Sequence, residues 1–510
     1  MKNSKKTGSN LDNLSMKVFQ ILFFCLISFS SLKVIVASVN TGITKEEAAH
    51  YKQHCLEDLA FFRKNIEENS APFKDPDAEP FRKWFEEGYV YTQKLVDGVK
   101  DRDDCYYAMK FYLNGFGDPY ISMRNYTPLP KESYPGFLTA KYANHHIIIY
   151  KDPNIHYLKD VSIGNHVTHI NDIPIDDYFE KYIFPFYGSD DSEFSQKTAS
   201  IFTLIVNGNR YVPFPLTATI TDGKTERKLE LKYTELSLGA LAVSRSIKQP
   251  VPDQHFKVEM LSHGVWITIP SFYLTREEAI SYTGMLSKLK ELAKEDYIIF
   301  DLRGNRGGGA VWARPIIRNL WGDDYIKHLG KNHDFNSTWI KKVRVSKKNF
   351  FDFKKVANAL EIKSFAEALQ KKDVFFEKKW NIYKEDLNLY TNQDSAPFKA
   401  KIFVFTDHFC RSTCWSFVDQ MLQIPGVTHI GLPTVIQTNS SYASKARSPS
   451  GSFDFFYPTE LRIYPNRNSG HALVPSKIFN GDILDESEVI DWVLSITEGG
   501  SDNPNRWCST

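Results

Sequence analysis

The sequence lacks an excess of charge of either sign. Its 63 Lys and Arg are matched by 61 Asp and Glu, for a formal charge of +2. The lysines are interspersed with acids, as in "KELAKED" and "KEDLNLY", and read as solvated faces. Nothing here argues for a nucleic-acid partner. Long hydrophobic runs are also scarce. The one at the N-terminus, "VFQILFFCLISFSSL" from Val18 to Leu32, is short for a membrane span but normal for the core of a secretory signal. A polar opening with lysines precedes it, and small residues follow in "VIVAS". Residues 1–38 are therefore expected to be a signal peptide, cut after Ala37 or Ser38, with Met16 as an alternative start. A membrane attachment follows only if the signal is uncleaved. Otherwise the expected location is secreted or extracytoplasmic.

Cysteine is sparse as well. Of six, Cys25 would leave with the signal, and Cys55, Cys105, Cys410, Cys414 and Cys508 remain. Cys55 and Cys105 share a helical region and could bridge; Cys410 and Cys414 could pair if the local backbone allows it. Spacing alone does not give connectivity, and the odd count leaves a free thiol. No metal or other cofactor is expected. "HYKQH" (His50, His54) lacks the glutamate of a zinc-hydrolase helix, and "HVTH" (His166, His169) offers two histidines alone. Asn125, Asn336 and Asn439 open glycosylation sequons, which matter only in a eukaryotic host.

What is present points to an α+β multidomain chain. Residues 39–118 read as helices, opening on the capping box of "TKEEAAHYKQHCLEDLAFF". Residues 119–250 change to short β-branched runs such as "HHIIIYKD" and "RKLELKYTEL", punctuated by Pro, Gly and Asn. Residues 251–510 alternate strands ("YIIFDLR", "KIFVFTD", "VTHIGLP") with helical stretches, the pattern of an α/β core. Within it, 319–397 is rich in Lys and aromatics without a clear period and is expected to be an insertion or lid.

Two stretches carry chemistry. "YIIFDLRGNRGGG", Tyr297 to Gly309, drives a buried strand into a turn holding four glycines. Such a turn aims backbone N–H groups at an anion or oxyanion. It lacks the Gly-Lys-Ser/Thr of a phosphate loop and does not fit G-x-G-x-x-G. "CRSTCWSF", Cys410 to Phe417, puts Ser412 at a strand-to-helix junction. An N-cap serine sits at such a junction, and so does a hydrolase nucleophile. The residues alone leave both readings open.

Taken in order, "DLRGNRGGG", "TDHFCRSTCWSF" and then "GLPT" at Gly431 resemble the S41 peptidases. This family holds the C-terminal processing (tail-specific) proteases, the tricorn core, and a chlamydial secreted protease with fungal relatives. The Asp-x-x-Cys-x-Ser-Thr-Cys form is most similar to the last group. "LKDVSIGNHVTHINDIPIDDYFEKY" resembles a PDZ element, "HGVWITIPSFYL" the first core strand of the family, and "LNGFGDPY" the end of its helical region. The resemblance implies a PDZ-like domain before a ClpP/crotonase-like catalytic core. It implies Ser412 as nucleophile, with the N–H of Thr413 and one from the Gly307–Gly308 turn as oxyanion donors.

The proton acceptor departs from the pattern. Bacterial processing proteases carry a lysine where this chain has Gln437. The tricorn and chlamydial branches carry a histidine in a D-x-H where "GDPY" has Tyr120. Glu460, in "YPTELRIYP", matches the acid that orients the base in the histidine branch. A serine hydroxyl is a poor nucleophile without such a base, and a tyrosine hydroxyl ordinarily gives up its proton only near pH ~10. Lys445, His408, His145 and His146 are substitutes to be weighed. The resemblance thus implies a serine endopeptidase acting on polypeptides through an acyl-enzyme. The alternatives are a pseudopeptidase that binds peptide without turnover, and a carrier of apolar small molecules. A homo-oligomer is left open.

Overall fold

The computed structural model describes residues 43–142, 145–248, 255–332, 338–355, 357–381, 398–463 and 470–497. The expected signal peptide, with Cys25, lies outside them, as do Asn336 and Cys508.

Helices α1 (Lys45–Asn69), α2 (Glu79–Val96) and α3 (Arg102–Asn114) form the N-terminal region. The anticipated capping box starts α1. Glu47 N–H donates to the Thr44 hydroxyl at 3.2 Å, and the Glu47 carboxylate accepts from Thr44 N–H at 2.7 Å. A disulfide joins Cys55 of α1 to Cys105 of α3.

Strand β1 (Ser122–Asn125) leads into an antiparallel sheet of short strands. These are β2 (Phe137–Tyr142), β3 (His145–Lys151), β4 (His166–Ile170), β5 (Thr217–Thr221) and β6 (Glu226–Glu230), hydrogen-bonded in that order. On β3 the two histidines alternate, with His146 buried and His145 exposed, as a pleat of period two requires.

The rest is built on a six-stranded sheet. Its strands are β7 (Lys257–Met260), β8 (Gly264–Thr268), β9 (Tyr297–Asp301), β12 (Lys401–Thr406), β13 (Val427–Gly431) and β16 (Lys477–Ile478). From β8 onward the neighbours are parallel. Helices cover both faces, which is why "YIIF" (Tyr297–Phe300) and "IFVF" (Ile402–Phe405) are apolar at every position. On one face Ile298, Phe300, Ile402 and Val404 pack with α4 (Arg276–Leu292), α5 (Ala310–Asn332, broken at Gly322) and α8 (Thr413–Leu422). On the other, Tyr297, Ile299, Phe403 and Phe405 pack with Val489 and Val493 of α9 (Glu486–Thr497).

Residues between α5 and β12 supply β10 (Thr338–Arg344) and β11 (Phe375–Asn381), bridged by two helices, α6 (Lys347–Phe353) and α7 (Ala359–Lys371). The strands β10 and β11 pair with each other, and β10 pairs with β15 (Phe453–Ile463). Strand β15 also pairs with β14 (Ser440–Arg447) and β1. The segment around 319–397 is therefore woven into a second sheet. The N-terminal helices pack on that sheet through Phe62 against Phe455, ring centroids 4.5 Å apart.

This topology decides where a site can form. Three neighbouring parallel strands, β9, β12 and β13, end side by side and release the loops 302–309, 407–412 and 432–439. The crevice beyond the carboxyl ends of parallel strands is the usual ligand site of such sheets.

Candidate active site

The loop after β12 turns sharply before α8. Ser412 holds φ 55° and ψ −120°, and its side chain makes no capping bond to the helix. A capping serine has extended backbone and gives its oxygen to a first-turn amide; Ser412 does neither. A non-glycine residue at such angles costs about 1–3 kcal/mol and persists where the surroundings enforce it. Those surroundings are visible. A disulfide between Cys410 and Cys414 spans the turn. The Ser412 N–H donates to Gln437 Oε1 at 3.1 Å, and the Ser416 N–H donates to the Ser412 carbonyl at 2.9 Å.

The glycine turn after β9 meets this strained residue. A Cβ placed on Gly307 would lie 2.9 Å from Ser412 Cβ and 2.8 Å from the Arg411 carbonyl oxygen, and Gly307 has φ 94°. Only glycine lets the two loops touch there. Gly308 is closer still to its neighbour, since a Cβ would sit 2.3 Å from the Phe272 carbonyl carbon. The Thr413 hydroxyl donates to the Gly308 carbonyl at 2.5 Å and fastens the start of α8 to the turn.

The amides of the turn divide into used and unused. Gly307 N–H donates to Asn305 Oδ1 at 2.8 Å, and Gly309 N–H to the Phe272 carbonyl at 2.9 Å. Among the described residues no acceptor is found for the N–H groups of Gly308 and Thr413. Sequence reasoning had paired Gly307 with Gly308 as candidate donors; Asn305 occupies the first.

The sequence offers Asp407 only as the first residue of the Asp-x-x-Cys-x-Ser-Thr-Cys form and gives Asn305 no role, although both are turn-forming residues at strand ends. Asp407 accepts from Gly304 N–H at 2.7 Å and Phe409 N–H at 3.0 Å, so one carboxylate holds both loops. Burial pushes its pKa up to about 6, against the pull of those two N–H groups. An acid whose folded pKa is raised holds its proton more tightly when folded. The stability it contributes is complete below about pH 4 and lost as pH rises through 6. Asp407→Asn is therefore expected to remove up to about 2–3 kcal/mol of that decline, read from urea midpoints at pH 4 to 7. An unchanged slope would contradict the assignment.

The base positions are filled unusually. Gln437 spends its amide on backbone: Oε1 takes the Ser412 N–H, and Nε2 donates to the Thr438 carbonyl at 2.9 Å. Tyr120 is half-buried, and its N–H donates to Asp118 Oδ1 at 2.8 Å. The other oxygen of Asp118 accepts the Ser440 hydroxyl, which brings the end of the helical region against the loop of Gln437. Burial raises Asp118 to about 6 as well. Its sequence signal was the first position of the D-x-H pattern. Glu460 is buried on β15 and paired with Lys341 Nζ at 2.8 Å, not with a base.

The substitutes weighed above are engaged elsewhere. His408 Nδ1 lies 2.9 Å from the Pro433 carbonyl, its ring stacks on Phe194, and burial lowers its pKa to about 4. Lys445 pairs with Asp454 at 3.1 Å. His145 and His146 belong to the small antiparallel sheet, where His146 meets Asp176 and Phe179. Among the described residues no cluster of His, Cys, Asp or Glu is arranged to hold a metal.

The serine turn packed on a glycine turn, at the carboxyl ends of a parallel sheet, sits within an S41 peptidase-like fold. The solved structure of mature CPAF is similar over 88% of this chain and 97% of its own, with a TM-score of 0.58 at 10% identity. Mature CPAF complexed with lactacystin gives 0.56 at 10% identity, over 88% of this chain and the whole of that one. The photosystem II D1 C-terminal processing protease aligns over 89% of this chain and 98% of its own, with a TM-score of 0.34 at 9% identity. No family model matches the sequence, and no curated protein is similar to it in sequence.

Proposed function

We propose that the mature chain is an exported serine endopeptidase-like protein that attacks extended polypeptide through Ser412. The observation carrying this reading is the contact between a strained serine and a glycine turn, beside the N–H groups of Gly308 and Thr413, which have no acceptor among the described residues. In the proposed reaction Ser412 Oγ bonds the scissile carbonyl carbon, and the oxyanion is held by the N–H groups of Thr413 and Gly308. The C–N bond then breaks as the oxyanion collapses, the amine leaves with the proton given up by Ser412 Oγ, and water hydrolyses the acyl ester to free the acid and restore the serine hydroxyl. Tyr120 stands at the base position, Gln437 positions the Ser412 amide, and Glu460 is the expected orienting acid. Tyr273, 78% exposed just after Phe272, offers a ring to the bound chain.

The antiparallel sheet within 119–250 is proposed to be PDZ-like and to grip a chain end by β-augmentation. The two disulfides suit an oxidising compartment. CPAF holds lactacystin in one solved complex, so lactacystin is a second probe of this site.

One observation favours a peptide-binding module without turnover: Gln437 and Glu460 are both committed to other partners. A fluorophosphonate probe separates the two readings. Labelling of the wild-type chain that is lost in Ser412→Ala is the outcome expected of an activated nucleophile. A folded wild type that does not label is a binding module.

A further inference from the structure

A cavity of about 80 Å³ is lined in part by Thr413, whose N–H is one of the proposed oxyanion donors. Its walls include Ala310, the first residue of α5 after the glycine turn, and Thr413, the first residue of α8. Thr413 directly follows the proposed nucleophile, so the cavity adjoins the site. A water needs roughly 10–15 Å³ of such space, so the cavity admits a side chain of glutamate size. Its far wall comes from β10 and β15, through Trp339 and Arg462.

The chemistry of that wall is one-sided. Arg462 has its guanidinium 5.2 Å from the centre of the Trp339 ring, and its Nε is buried without a hydrogen-bond partner. Among the described residues no acid pairs with Arg462, and an arginine fork is a receptor suited to a carboxylate. Arg314 also lines the cavity. Glu460, on the same face of β15, is already matched by Lys341, which lies opposite Arg462 in the strand register. Two more arginines, Arg306 and Arg411, flank Gly307 and Ser412 in sequence and are exposed.

We infer that this cavity is a specificity pocket for an acidic side chain, glutamate or aspartate, on the residue whose carbonyl faces Ser412, with Arg462 as its partner. The inference rests on the serine-site reading above, and its test is arranged so that the two fail separately. Peptides identical except for one central Glu, Gln, Leu or Lys among alanines, blocked at both ends, are titrated against the full mature chain carrying Ser412→Ala. Binding there requires no turnover. The Glu peptide is expected to bind about tenfold more tightly than the Gln peptide, the scale of one charge-assisted hydrogen bond.

Arg462→Met should abolish that preference, Arg462→Lys should keep part of it, and Arg462→Glu should turn it towards the Lys peptide. Equal binding of Glu and Gln, a preference that survives in Arg462→Met, or no binding of any peptide overturns the inference. Fluorophosphonate labelling of the wild type reads the nucleophile without using the pocket. Labelling without acidic preference sinks the pocket alone; acidic preference without labelling leaves the pocket and removes the peptidase.

Discussion

Tyr120→His is expected to raise the rate at which a fluorophosphonate labels Ser412 by about 100-fold or more. A positioned general base contributes about 10²–10⁴ to such chemistry, and an imidazole accepts a proton near neutral pH where a phenol does not. The argument for the position is structural. Tyr120 follows Asp118, which is tied to Ser440, and that loop also carries Gln437, whose amide holds the Ser412 backbone. No other change should be needed, because the serine and the turn are already in contact. The gain should follow a single ionisation, rising with pH as the new histidine loses its proton. An equal or slower labelling rate in a folded Tyr120→His chain would mean that residue 120 does not reach the serine. The position carried over from the histidine branch would then be wrong here.

Removing the Cys410–Cys414 disulfide is expected to cut the same labelling rate by tenfold or more. The bridge closes over the one residue of the turn held at φ 55°, and the strain there is worth about 1–3 kcal/mol. Each 1.4 kcal/mol is tenfold in population, so a turn freed to relax would spend most of its time with the hydroxyl misplaced. Both cysteines are fully buried in the core between α4, α5 and α8. The paired change Cys410→Ala with Cys414→Ala therefore avoids introducing a buried polar atom. The parallel variant Cys55→Ala with Cys105→Ala serves as control, because that bridge lies among the N-terminal helices. It should lower the melting temperature without changing labelling of the folded chain. If both pairs affect labelling equally, the bridge around Ser412 has no special part in holding the turn.

Both experiments bear on residues that the sequence displayed and the structure explained. "CRSTCWSF" showed a serine between two cysteines at a strand–helix junction, and left both a cap and a nucleophile open. The backbone at Ser412 argues against the cap, because a cap requires extended angles and a side-chain bond that are both missing; the nucleophile role is the proposal tested above. "RGNRGGG" showed a bend able to approach a ligand, but not that Asn305 would occupy one of its amides. The substitute bases show the limits most plainly. His408 is near Ser412 in the chain, yet it points at Pro433 because the strand end directs it there. Lys445 shares the stretch after Gln437, but β14 pairs it with the neighbourhood of Asp454.

By itself the sequence determined what is local or periodic. The capping box at Thr44, the apolar runs that must be strands covered on both faces, the glycines that permit a close approach, and the order of the motifs all follow from neighbours within a few positions. The tertiary structure alone decided which distant groups meet. Asp407 joins two loops, Asp118 joins the helical region to Ser440, and Lys341 neutralises Glu460. Arg462 is left facing a cavity beside Thr413. The reason is physical: secondary structure answers to short-range sterics and hydrogen bonding. A buried charge instead answers to whichever partner the packed sheets bring within reach, and no local pattern encodes that partner.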